Sequence, residues 1–539
     1  MTRAADTIAD ALSWLQIKTI FAMSGNQLMP LFDSFVERDF KLVHVRHEAA
    51  AVHMADGWGR MTGEPGLALV PAGPGFANSL AAIYTAAMSD SPLVVLSGHA
   101  PLANLGRGGF QELPQAEIAD YFAKDSWLVE SAEDLAPSIC RAFDLANSGR
   151  PGPVHVALPY NLLDQEISPV AFEASSENDE PSQETSYSNI LDHLWNGHKS
   201  LIVAGSFSLQ PKYRDRAQQL QDATGIPVIP TESPRGANDP MHGDLKALFK
   251  ETDTVLIIGK PVDFTLRFGD VFSDSAKIMM IHGEESEVRK AQDIFGDRLI
   301  ASACCGHPDA VTALIEASRN KPSLPEGDSW IDEVRSRLSY RPPEWESAKS
   351  QKPGALHPVQ VSRILQEAIR ELDDVTLVVD GGEFGQWVQS CVSAEKRMIN
   401  GPSAAIGPAI PLAIAAQHAN PNGRVIAVLG DGTAGFHLSE FDTAVRSQAP
   451  IVAIVGNDAR WNAEYQIQLK DYGPDRTYGC ELLPTRYDEV AEGFGCFGAD
   501  VDTEDKLRTA LKEALASGKP ACLNVSLEGH AAPVVSKTV

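Results

Sequence analysis

Cysteine is scarce in this chain, and its spacing argues against thiol-based sites. The 539 residues contain seven cysteines, including the adjacent Cys304 and Cys305, and none of them forms a Cys-x-x-Cys string. Paired spacing of that kind is typical of structural zinc sites and redox centres, whereas small secreted proteins depend on dense disulfides. We therefore expect buried or free thiols and a reducing, cytoplasmic location.

Long hydrophobic runs and an excess of positive charge are also missing. No uninterrupted apolar run reaches the roughly 20 residues of a membrane-spanning helix, and the amino-terminal stretch carries Asp6 and Asp10 rather than a basic region before an apolar segment. Asp and Glu outnumber Lys and Arg by 72 to 45, which gives a net charge of -27. Because nucleic acids and anionic membranes are polyanions, we expect neither as a partner, and instead a small-molecule substrate.

The length of the chain and its polar, proline-bearing stretches predict three domains. Domains usually contain about 100 to 200 residues. A Ser/Glu/Pro-rich stretch lies between about residues 167 and 189, and a second proline-bearing stretch runs from about 319 to 358. We therefore predict domains at residues 1–166, 188–318 and 356–539.

Strands and helices alternate in all three predicted domains, which is typical of α/β folds with doubly wound parallel sheets. In the first domain a strand at residues 66–70 leads through a glycine-rich turn into a helix at 76–88 and a strand at 93–96. The third domain shares this rhythm, which by itself does not distinguish common origin from convergence. The middle domain has no Gly-x-Gly-x-x-Gly string after its first strand, so FAD or ADP there is unsupported by a motif.

Two polar strings follow two apolar runs in the third domain. Gly430-Asp431-Gly432 follows the run at 424–429, and Gly456-Asn457-Asp458 follows the run at 451–455, with a helical pattern over 437–448 between them. A strand-helix-strand unit of this length forms a right-handed parallel crossover, which brings both strand ends to one sheet edge. Asp431 and Asn457 would then offer neighbouring oxygen ligands for Mg²⁺ and a diphosphate. The flanking glycines would let backbone amides approach the phosphates.

This arrangement resembles the cofactor motif of the thiamine diphosphate-dependent enzymes, particularly the group containing acetolactate synthases, benzaldehyde lyase and 2-hydroxyacyl-CoA lyases. In that family an Asp-Gly pair is followed by two asparagines, and the second asparagine binds the metal. Here 24 residues, positions 433 to 456, separate Gly432 from Asn457, and Gly456 replaces the first asparagine. The resemblance covers essentially the whole chain. It implies Mg²⁺ held by Asp431, Asn457 and the backbone oxygen of Ala459, and thiamine diphosphate bound in this region by Gly430, Asp431, Gly432, Thr433, Asn457, Ala459 and Trp461.

A second match lies in the first domain. Residues 45–53, Val-Arg-His-Glu-Ala-Ala-Ala-Val-His, resemble the strand-to-helix segment that carries the cofactor-activating glutamate of the family. By this resemblance Glu48 faces N1′ of the aminopyrimidine, where a carboxyl group promotes the reactive tautomer. Without the resemblance, Glu48 would be read as a carboxylate that stabilises a helix start. Gly73 and Asn78 are similar to the turn and helix near the pyrimidine ring, and they also fit a tight turn with a helix cap.

Amide and aromatic residues of the first domain are expected to line the substrate pocket. Phe110 and Gln111 resemble a pocket-lining segment of acetolactate synthases and 2-hydroxyacyl-CoA lyases, in which Gln111 would donate a hydrogen bond to a substrate carbonyl. A lone glutamine is more often a surface residue, and a lone histidine is more often structural. The other substrate-binding candidates are Gly25, Asn26, Gln27 and His99.

Five more assignments in the third domain follow from the resemblance. Ile406 stands where the family places a bulky apolar residue beneath the cofactor, and the carbonyl of Ala404 would accept a hydrogen bond from the 4′-amino group. Glu383 and Phe384 lie in a string that replaces the family's diphosphate-contacting Gly-Gln-His type, so Glu383 would repel phosphates unless it faces solvent or substrate. Asn462 lies in a stretch that approaches the reacting centre. The predicted catalytic residues are Glu48, Gln111 and Asn462.

The resemblance implies a thiamine diphosphate- and Mg²⁺-dependent C–C lyase or carboligase (transferase) acting on 2-hydroxyacyl compounds, including CoA thioesters, or on 2-oxo compounds. A 2-hydroxyacyl-CoA lyase-like activity is preferred to an acetolactate synthase-like one, and the adjacent His-His pair of pyruvate-type decarboxylases is missing. The alternatives are a non-catalytic regulatory subunit that binds the cofactor, and a flavin-dependent oxidase. The family also implies a homodimer or homotetramer in which Glu48 of one chain serves Asp431 and Asn457 of its partner.

Overall fold

The structure is a computed structural model, and it describes residues 1–169, 172, 187–320 and 329–537. Most of the first predicted linker and part of the second, residues 170–171, 173–186 and 321–328, lie outside the described residues. None of the helices within the described ranges has the length and apolar character needed to cross a membrane.

The first predicted domain contains a six-stranded parallel sheet. The strands of this sheet are β2 (Thr19–Ala22), β3 (Lys41–His44), β4 (Gly66–Val70), β5 (Leu93–His99), β6 (Asp125–Leu128) and β7 (Pro153–Pro159). Two further strands, β1 (Thr2–Arg3) and β8 (Glu166–Ile167), form a separate antiparallel pair. Its helices are α1 (Ala4–Trp14), α2 (Met29–Phe35), α3 (Glu48–Thr62), α4 (Pro74–Met88), α5 (Gln115–Ala119), α6 (Leu135–Asn147) and α7 (Tyr160–Leu163). The strand order is β3-β2-β4-β5-β7-β6. Alternate residues of the central strands enter cores on opposite faces, so the sheet is covered on both sides.

The middle predicted domain contains a five-stranded parallel sheet of order β10-β9-β11-β12-β13. Its strands are β9 (Ser200–Ala204), β10 (Val228–Pro230), β11 (Thr254–Ile258), β12 (Lys277–His282) and β13 (Leu299–Cys304). Its helices are α8 (Tyr187–Asn196), α9 (Pro211–Thr224), α10 (Leu245–Glu251), α11 (Glu285–Phe295), α12 (His307–Ala317) and α13 (Ser329–Leu338). Two apolar cores again lie on opposite sheet faces.

The third predicted domain contains a six-stranded parallel sheet of order β15-β14-β16-β17-β19-β18. Its strands are β14 (Val375–Val379), β15 (Lys396–Ile399), β16 (Arg424–Gly430), β17 (Val452–Asn457), β18 (Phe497–Val501) and β19 (Ala521–Ser526). Its helices are α14 (Pro358–Arg370), α15 (Glu383–Cys391), α16 (Ala409–Ala419), α17 (Asp431–Ala434), α18 (Glu440–Arg446), α19 (Asn462–Tyr472), α20 (Tyr487–Gly493) and α21 (Glu504–Ser517).

The first and third sheets have the same topology. Numbered along the chain within each sheet, the strands follow the order second, first, third, fourth, sixth, fifth in both cases. This confirms the predicted fold class of parallel α/β domains, and the shared rhythm in the sequence corresponds to one shared architecture. The exact domain boundaries stay predictions.

One core joins the first and third sheets through α3 and α16. Gly57 permits the close approach of these helices, because a Cβ there would lie 3.0 Å from the Cβ of Ala415 and 3.1 Å from Cδ2 of Leu412. The helix that begins with Glu48 is therefore packed against the third domain of the same chain.

The predicted helix at 437–448 is too long. In the structure α18 covers only Glu440–Arg446, and a separate short helix, α17, follows β16 directly. The carboxyl-terminal overestimate has a local cause, because Gln448 adopts a φ of 57°, outside the right-handed helical region. At the other end, His437 is held in a turn by donating from Nδ1 to the backbone oxygen of Gly407 at 2.8 Å.

Candidate active site

The carboxyl ends of β16 and β17 lie side by side. Gly430 and Gly456 are paired across the two strands. Asp431 begins α17 and Asn457 ends β17, so both follow at the same sheet edge. Both are buried, with 2% of Asp431 and 8% of Asn457 exposed. The register thus brings together the two predicted side-chain ligands.

Hydrogen bonds fix the orientation of both side chains. Asn457 donates from Nδ2 to the backbone oxygen of Thr485 at 2.8 Å and to Oδ1 of Asn524 at 3.0 Å. Its Oδ1 therefore faces the following turn, where it accepts from the Ala459 amide at 3.2 Å. Oδ2 of Asp431 accepts from the Arg460 amide at 3.2 Å. These contacts present one carboxylate and one amide oxygen on the same turn.

The electrostatics of this edge fit a bound cation. Burial raises the pKa of Asp431 to about 6, and burial together with the charge of Asp431 raises the pKa of Asp458 to about 7. Oδ1 of Asp458 is buried without a hydrogen-bond partner. Neither carboxylate forms a salt bridge with any described residue. A divalent cation would favour the ionised form of both groups.

The oxygen atoms available as ligands at this edge are of the kind that Mg²⁺ binds. Across the described ranges no three His, Cys, Asp or Glu side chains converge on a metal position, so the set here is one carboxylate with neutral oxygens. The backbone oxygen of Ala459 accepts from the Leu482 amide at 2.7 Å, which leaves its second lone pair for a ligand. Mg²⁺ commonly takes one or two carboxylates and completes its shell with phosphate and water oxygens.

The glycines of the two strings have different surroundings. A Cβ on Gly430 would meet nothing within 4 Å, whereas a Cβ on Gly432 would lie 2.7 Å from the Trp461 ring. Gly430 therefore borders open space. A Cβ on Gly456 would lie 2.4 Å from the Phe384 ring and 2.5 Å from Leu527. The side chain of Phe384 thus fills the space that an asparagine at 456 would need.

A buried aspartate holds the loop that carries Ala404 and Ile406. Asp380, fully buried after β14, accepts hydrogen bonds from the amides of Gly381, Gly407 and Ala409 at 2.7, 2.9 and 3.1 Å. Burial raises its pKa to about 6. Ile406 is half-buried, with its Cγ2 3.0 Å from the position of a Cβ on Gly381. Ala404 has a φ of 58°, so the loop reaches α16 through a left-handed turn.

Glu383 is largely buried rather than facing solvent. It is 9% exposed, and Arg235 of the middle domain donates from Nη2 to its Oε2 at 3.1 Å. Burial raises its pKa despite this partner. The positive charge of Arg235 offsets the negative charge of Glu383, which would otherwise repel phosphates bound nearby.

Glu48 and Asn78 meet at the edge of the first sheet. Asn78 donates from Nδ2 to Oε2 of Glu48 at 2.9 Å. The start of α3 is capped by His47, whose Nδ1 accepts from the Ala49 amide at 3.1 Å. Glu48 is half-buried at the first position of the helix, so its carboxyl group is held in place and remains accessible.

Two predicted substrate residues are in direct contact. Gln27 donates from Nε2 to Oε1 of Gln111 at 2.7 Å. A Cβ on Gly73, which has a φ of 55°, would lie 2.8 Å from the backbone oxygen of Gln111. His99 is buried nearby at the end of β5 and contacts the backbone oxygens of Ala100 and Leu113. These contacts hold together the turns at the carboxyl edge of the first sheet.

Four other predicted residues lie around these clusters. Phe110 is 68% exposed, and Asn26 is exposed at the start of a short helical turn. Asn462 begins α19 and donates to the backbone oxygen of His530 at 3.0 Å. Asn462 is thus tied to the carboxyl-terminal segment, and Gly25 lies against Pro71.

The chain matches the family models for the amino-terminal and carboxyl-terminal TPP binding domains of thiamine pyrophosphate enzymes, over residues 2–118 and 380–525. It is 30% identical to the acetolactate synthase large subunit IlvG of Mycobacterium tuberculosis over 543 aligned residues, which cover 97% of this chain and 95% of the relative. The chain belongs to the thiamine pyrophosphate enzyme family. It is also 28% identical to 2-hydroxyacyl-CoA lyase 2 of Homo sapiens over 573 aligned residues, covering 96% of this chain and 89% of that relative.

These similarities confirm the predicted family and the assignment as a thiamine diphosphate-dependent enzyme. The relatives include a synthase and a lyase, so the preferred activity and its alternative are both compatible with them. The two matched regions lie within the parts of the chain that form the two sheets of identical topology, and they contain Glu48 and Asp431 respectively.

Several residues that support these clusters were not predicted from the sequence, among them Asp380, Asp458 and Arg235. Gln115 is fully buried and joins the first-domain turns, accepting from the Gly73 amide at 2.9 Å and donating to Oγ of Ser97 at 2.6 Å. The signal for Asp380 and Asp458 was present, since each follows an apolar strand, but Arg235 and Gln115 act through contacts that no local pattern indicates.

Proposed function

We propose that the protein uses thiamine diphosphate and Mg²⁺ to break or form a C–C bond in 2-hydroxyacyl or 2-oxo compounds, with a 2-hydroxyacyl-CoA lyase-like activity as the main candidate. The observation that carries the proposal is the buried Asp431 beside Asn457, on one of two matched sheets whose counterpart bears Glu48. When bound, the cofactor supplies a nucleophilic carbon for addition to a carbonyl group.

The third-domain residues would hold the metal and the diphosphate. Asp431 supplies the negative ligand, Asn457 supplies Oδ1 because its Nδ2 is already committed, and Ala459 supplies a backbone oxygen. The open space beside Gly430 admits phosphate oxygens near backbone amides. The loop fixed by Asp380 sets the place of Ile406 and Ala404 against the cofactor.

The first-domain residues would handle protons and substrate. Glu48, held by Asn78, would share a proton with N1′ of the aminopyrimidine. The contact between Gln27 and Gln111 leaves the Nε2 group of Gln111 to donate to a substrate oxygen. His99 is engaged by two backbone oxygens, which suits a role in shaping the pocket wall.

We further propose a homodimer or homotetramer in which Glu48 of one chain completes the site of its partner, working in the cytoplasm. The seven cysteines, all within the described residues, are free thiols, as expected in a reducing compartment. No nucleotide on the middle domain is included, because the turn after β9 carries no dinucleotide-binding string.

Product analysis tests the activity. Purified protein with thiamine diphosphate and Mg²⁺ is incubated with a 2-hydroxyacyl-CoA or with pyruvate. Release of formyl-CoA from the thioester supports the main candidate. Acetolactate from pyruvate, with no reaction of the thioester, would replace it by the acetolactate synthase-like alternative, which the 30% identity to IlvG favours. Glu48→Gln protein is the control for background turnover.

A further inference from the structure

A buried glutamate of the third domain contacts the backbone just before Glu48. Glu440, the first residue of α18, is fully buried. The Arg46 amide donates to its Oε1 at 3.0 Å and to its Oε2 at 3.3 Å. Arg46 lies two residues before Glu48, in the turn that leads into α3.

The neighbours of Glu440 strengthen this connection. Thr443 donates from Oγ1 to Oε2 of Glu440 at 2.6 Å, which orients the carboxylate. Arg446 of the same helix donates from Nη2 to the backbone oxygen of His44 at 2.7 Å. The ring of His437 lies across the rings of His47 and His53, with centroid separations of 6.0 and 5.6 Å. The segment at residues 437–446, which follows the predicted metal ligand Asp431, thus contacts the strand-to-helix turn of the first domain.

We propose that Glu440 is a positioning residue for Glu48 of its own chain, a role that rests on the proposed function of Glu48. A carboxylate is suited to this task because it accepts hydrogen bonds through both oxygens: the Arg46 amide donates to both of them, and Thr443 Oγ1 donates to Oε2. Without it, the backbone N–H group of Arg46 would lose its hydrogen-bond partner. The turn before Glu48 would then move more freely, and its carboxyl group would meet the pyrimidine ring less often in the correct geometry.

Burial of the Glu440 carboxyl group removes it from water and disfavours its ionised form. It raises the pKa of Glu440 to about 7, although the hydrogen bonds from Thr443 and Arg46 and the charge of Arg446 act in the opposite direction. A neutral polar residue at this helix start would avoid the desolvation of a charge. The carboxylate at this position instead makes the contacts with the turn before Glu48.

Glu440→Gln removes the second acceptor while keeping the size of the side chain. The amide group of glutamine would face at least one of the converging donors. Asp442→Asn is the matched control, since Asp442 lies on the same helix and faces the Arg46 side chain at 3.6 Å but accepts no backbone hydrogen bond from the turn. Thr443→Val is a milder second variant, because it removes only the hydroxyl that orients the carboxylate.

Amide hydrogen exchange of the full-length protein gives the first readout. In Glu440→Gln, peptides covering residues 45–52 should exchange about tenfold faster, with a smaller change in Thr443→Val and none in Asp442→Asn. Turnover should fall about tenfold or more while Mg²⁺-dependent thiamine diphosphate affinity stays within about twofold. Unchanged exchange in 45–52, or an equal loss of cofactor affinity, would overturn the proposal.

Hybrid dimers identify the half of the site on which Glu440 acts. Two differently tagged chains are co-expressed and the heterodimers are purified. Paired with Asp431→Ala, the Glu440→Gln chain contributes an intact Asp431 to a site whose Glu48 comes from the chain with an unaltered Glu440. That hybrid should regain about half of the wild-type turnover, since one of two equivalent sites is complete. Paired with Glu48→Gln, it should stay at or below the level of Glu440→Gln alone.

The opposite pattern, rescue by Glu48→Gln but not by Asp431→Ala, would place the action of Glu440 on the cofactor half and overturn the proposal. Rescue by neither partner would overturn it as well, provided that the pair Glu48→Gln and Asp431→Ala restores turnover. If that control pair fails, the shared site of the proposed function is wrong. Hydrogen exchange then decides on Glu440 alone, because its contacts lie within one chain.

Discussion

The first and third sheets share one strand order, but their carboxyl edges carry different chemistry. The first edge carries Glu48 together with the amide side chains of Gln27, Gln111 and Gln115, which are bonded to each other or to nearby turns. The third edge carries the carboxylates of Asp380, Asp431 and Asp458, and burial raises the pKa of each. One architecture therefore supplies two similar edges, and under the proposed function the residues placed there would bind the ring at one edge and the metal diphosphate at the other.

The largest expected difference between the two edges is in cofactor binding. Asp431→Ala should weaken Mg²⁺-dependent binding of thiamine diphosphate at least about a hundredfold, because it removes the charged ligand. Glu48→Gln should leave the affinity nearly unchanged and lower turnover by roughly a thousandfold, the scale of general acid-base catalysis. Titration calorimetry and steady-state kinetics measure both quantities. An equal loss of affinity in the two variants would contradict the division of roles.

A substitution at Gly456 tests the packing of the third edge. Gly456→Asn restores the residue that the family carries, and it should destabilise the fold by about 1 to 3 kcal/mol because its Cβ would lie 2.4 Å from the Phe384 ring. The same substitution in a Phe384→Ala background should cost clearly less. The midpoint of urea unfolding reports the effect, and equal costs in both backgrounds would show that Phe384 is not the obstacle.

Alanine substitutions at one glycine of each edge separate stability from binding. Gly73→Ala should lower the free energy of unfolding by about 1 to 2 kcal/mol. Gly73 has a φ of 55°, and the added Cβ would lie 2.8 Å from the backbone oxygen of Gln111. Gly430→Ala should leave stability within about 0.5 kcal/mol, since nothing lies within 4 Å of its Cβ. It should still weaken cofactor binding several-fold if phosphates occupy that space. Thermal unfolding and cofactor titration check both variants, and normal binding by Gly430→Ala would exclude phosphates from the space beside it.

The smallest expected effect concerns the amide pair of the first edge. A double-mutant cycle of Gln27→Ala and Gln111→Ala should give a coupling free energy of about 0.5 to 1.5 kcal/mol for their 2.7 Å hydrogen bond. Unfolding by urea measures the coupling, and the KM for substrate should rise in both single variants. Additive free energies would show that the contact contributes nothing to stability.

The sequence predicts the third edge well because a short parallel crossover leaves little freedom. The spacing from Gly432 to Asn457 and the two apolar runs place Asp431 beside Asn457 before any coordinate is known. The interruption of the helix at 437–448 was missed, since an apolar pattern continues through the turn at His437.

Contacts between distant segments could not be predicted. The ion pair from Arg235 to Glu383 joins the middle and third domains, and neither residue has a local pattern that points to the other. The same holds for Gln27 with Gln111, and for Glu440 with the turn before Glu48. That a side chain at position 456 would meet the Phe384 ring also has no local signal in the sequence.

The central claim is that Glu48 and Asp431 form one thiamine site shared between two chains. The most direct measurement is the turnover of purified heterodimers that combine a Glu48→Gln chain with an Asp431→Ala chain. Each parent should be nearly inactive, and the heterodimer should regain about half of the wild-type turnover through its one complete site. A heterodimer as inactive as its parents would contradict the claim.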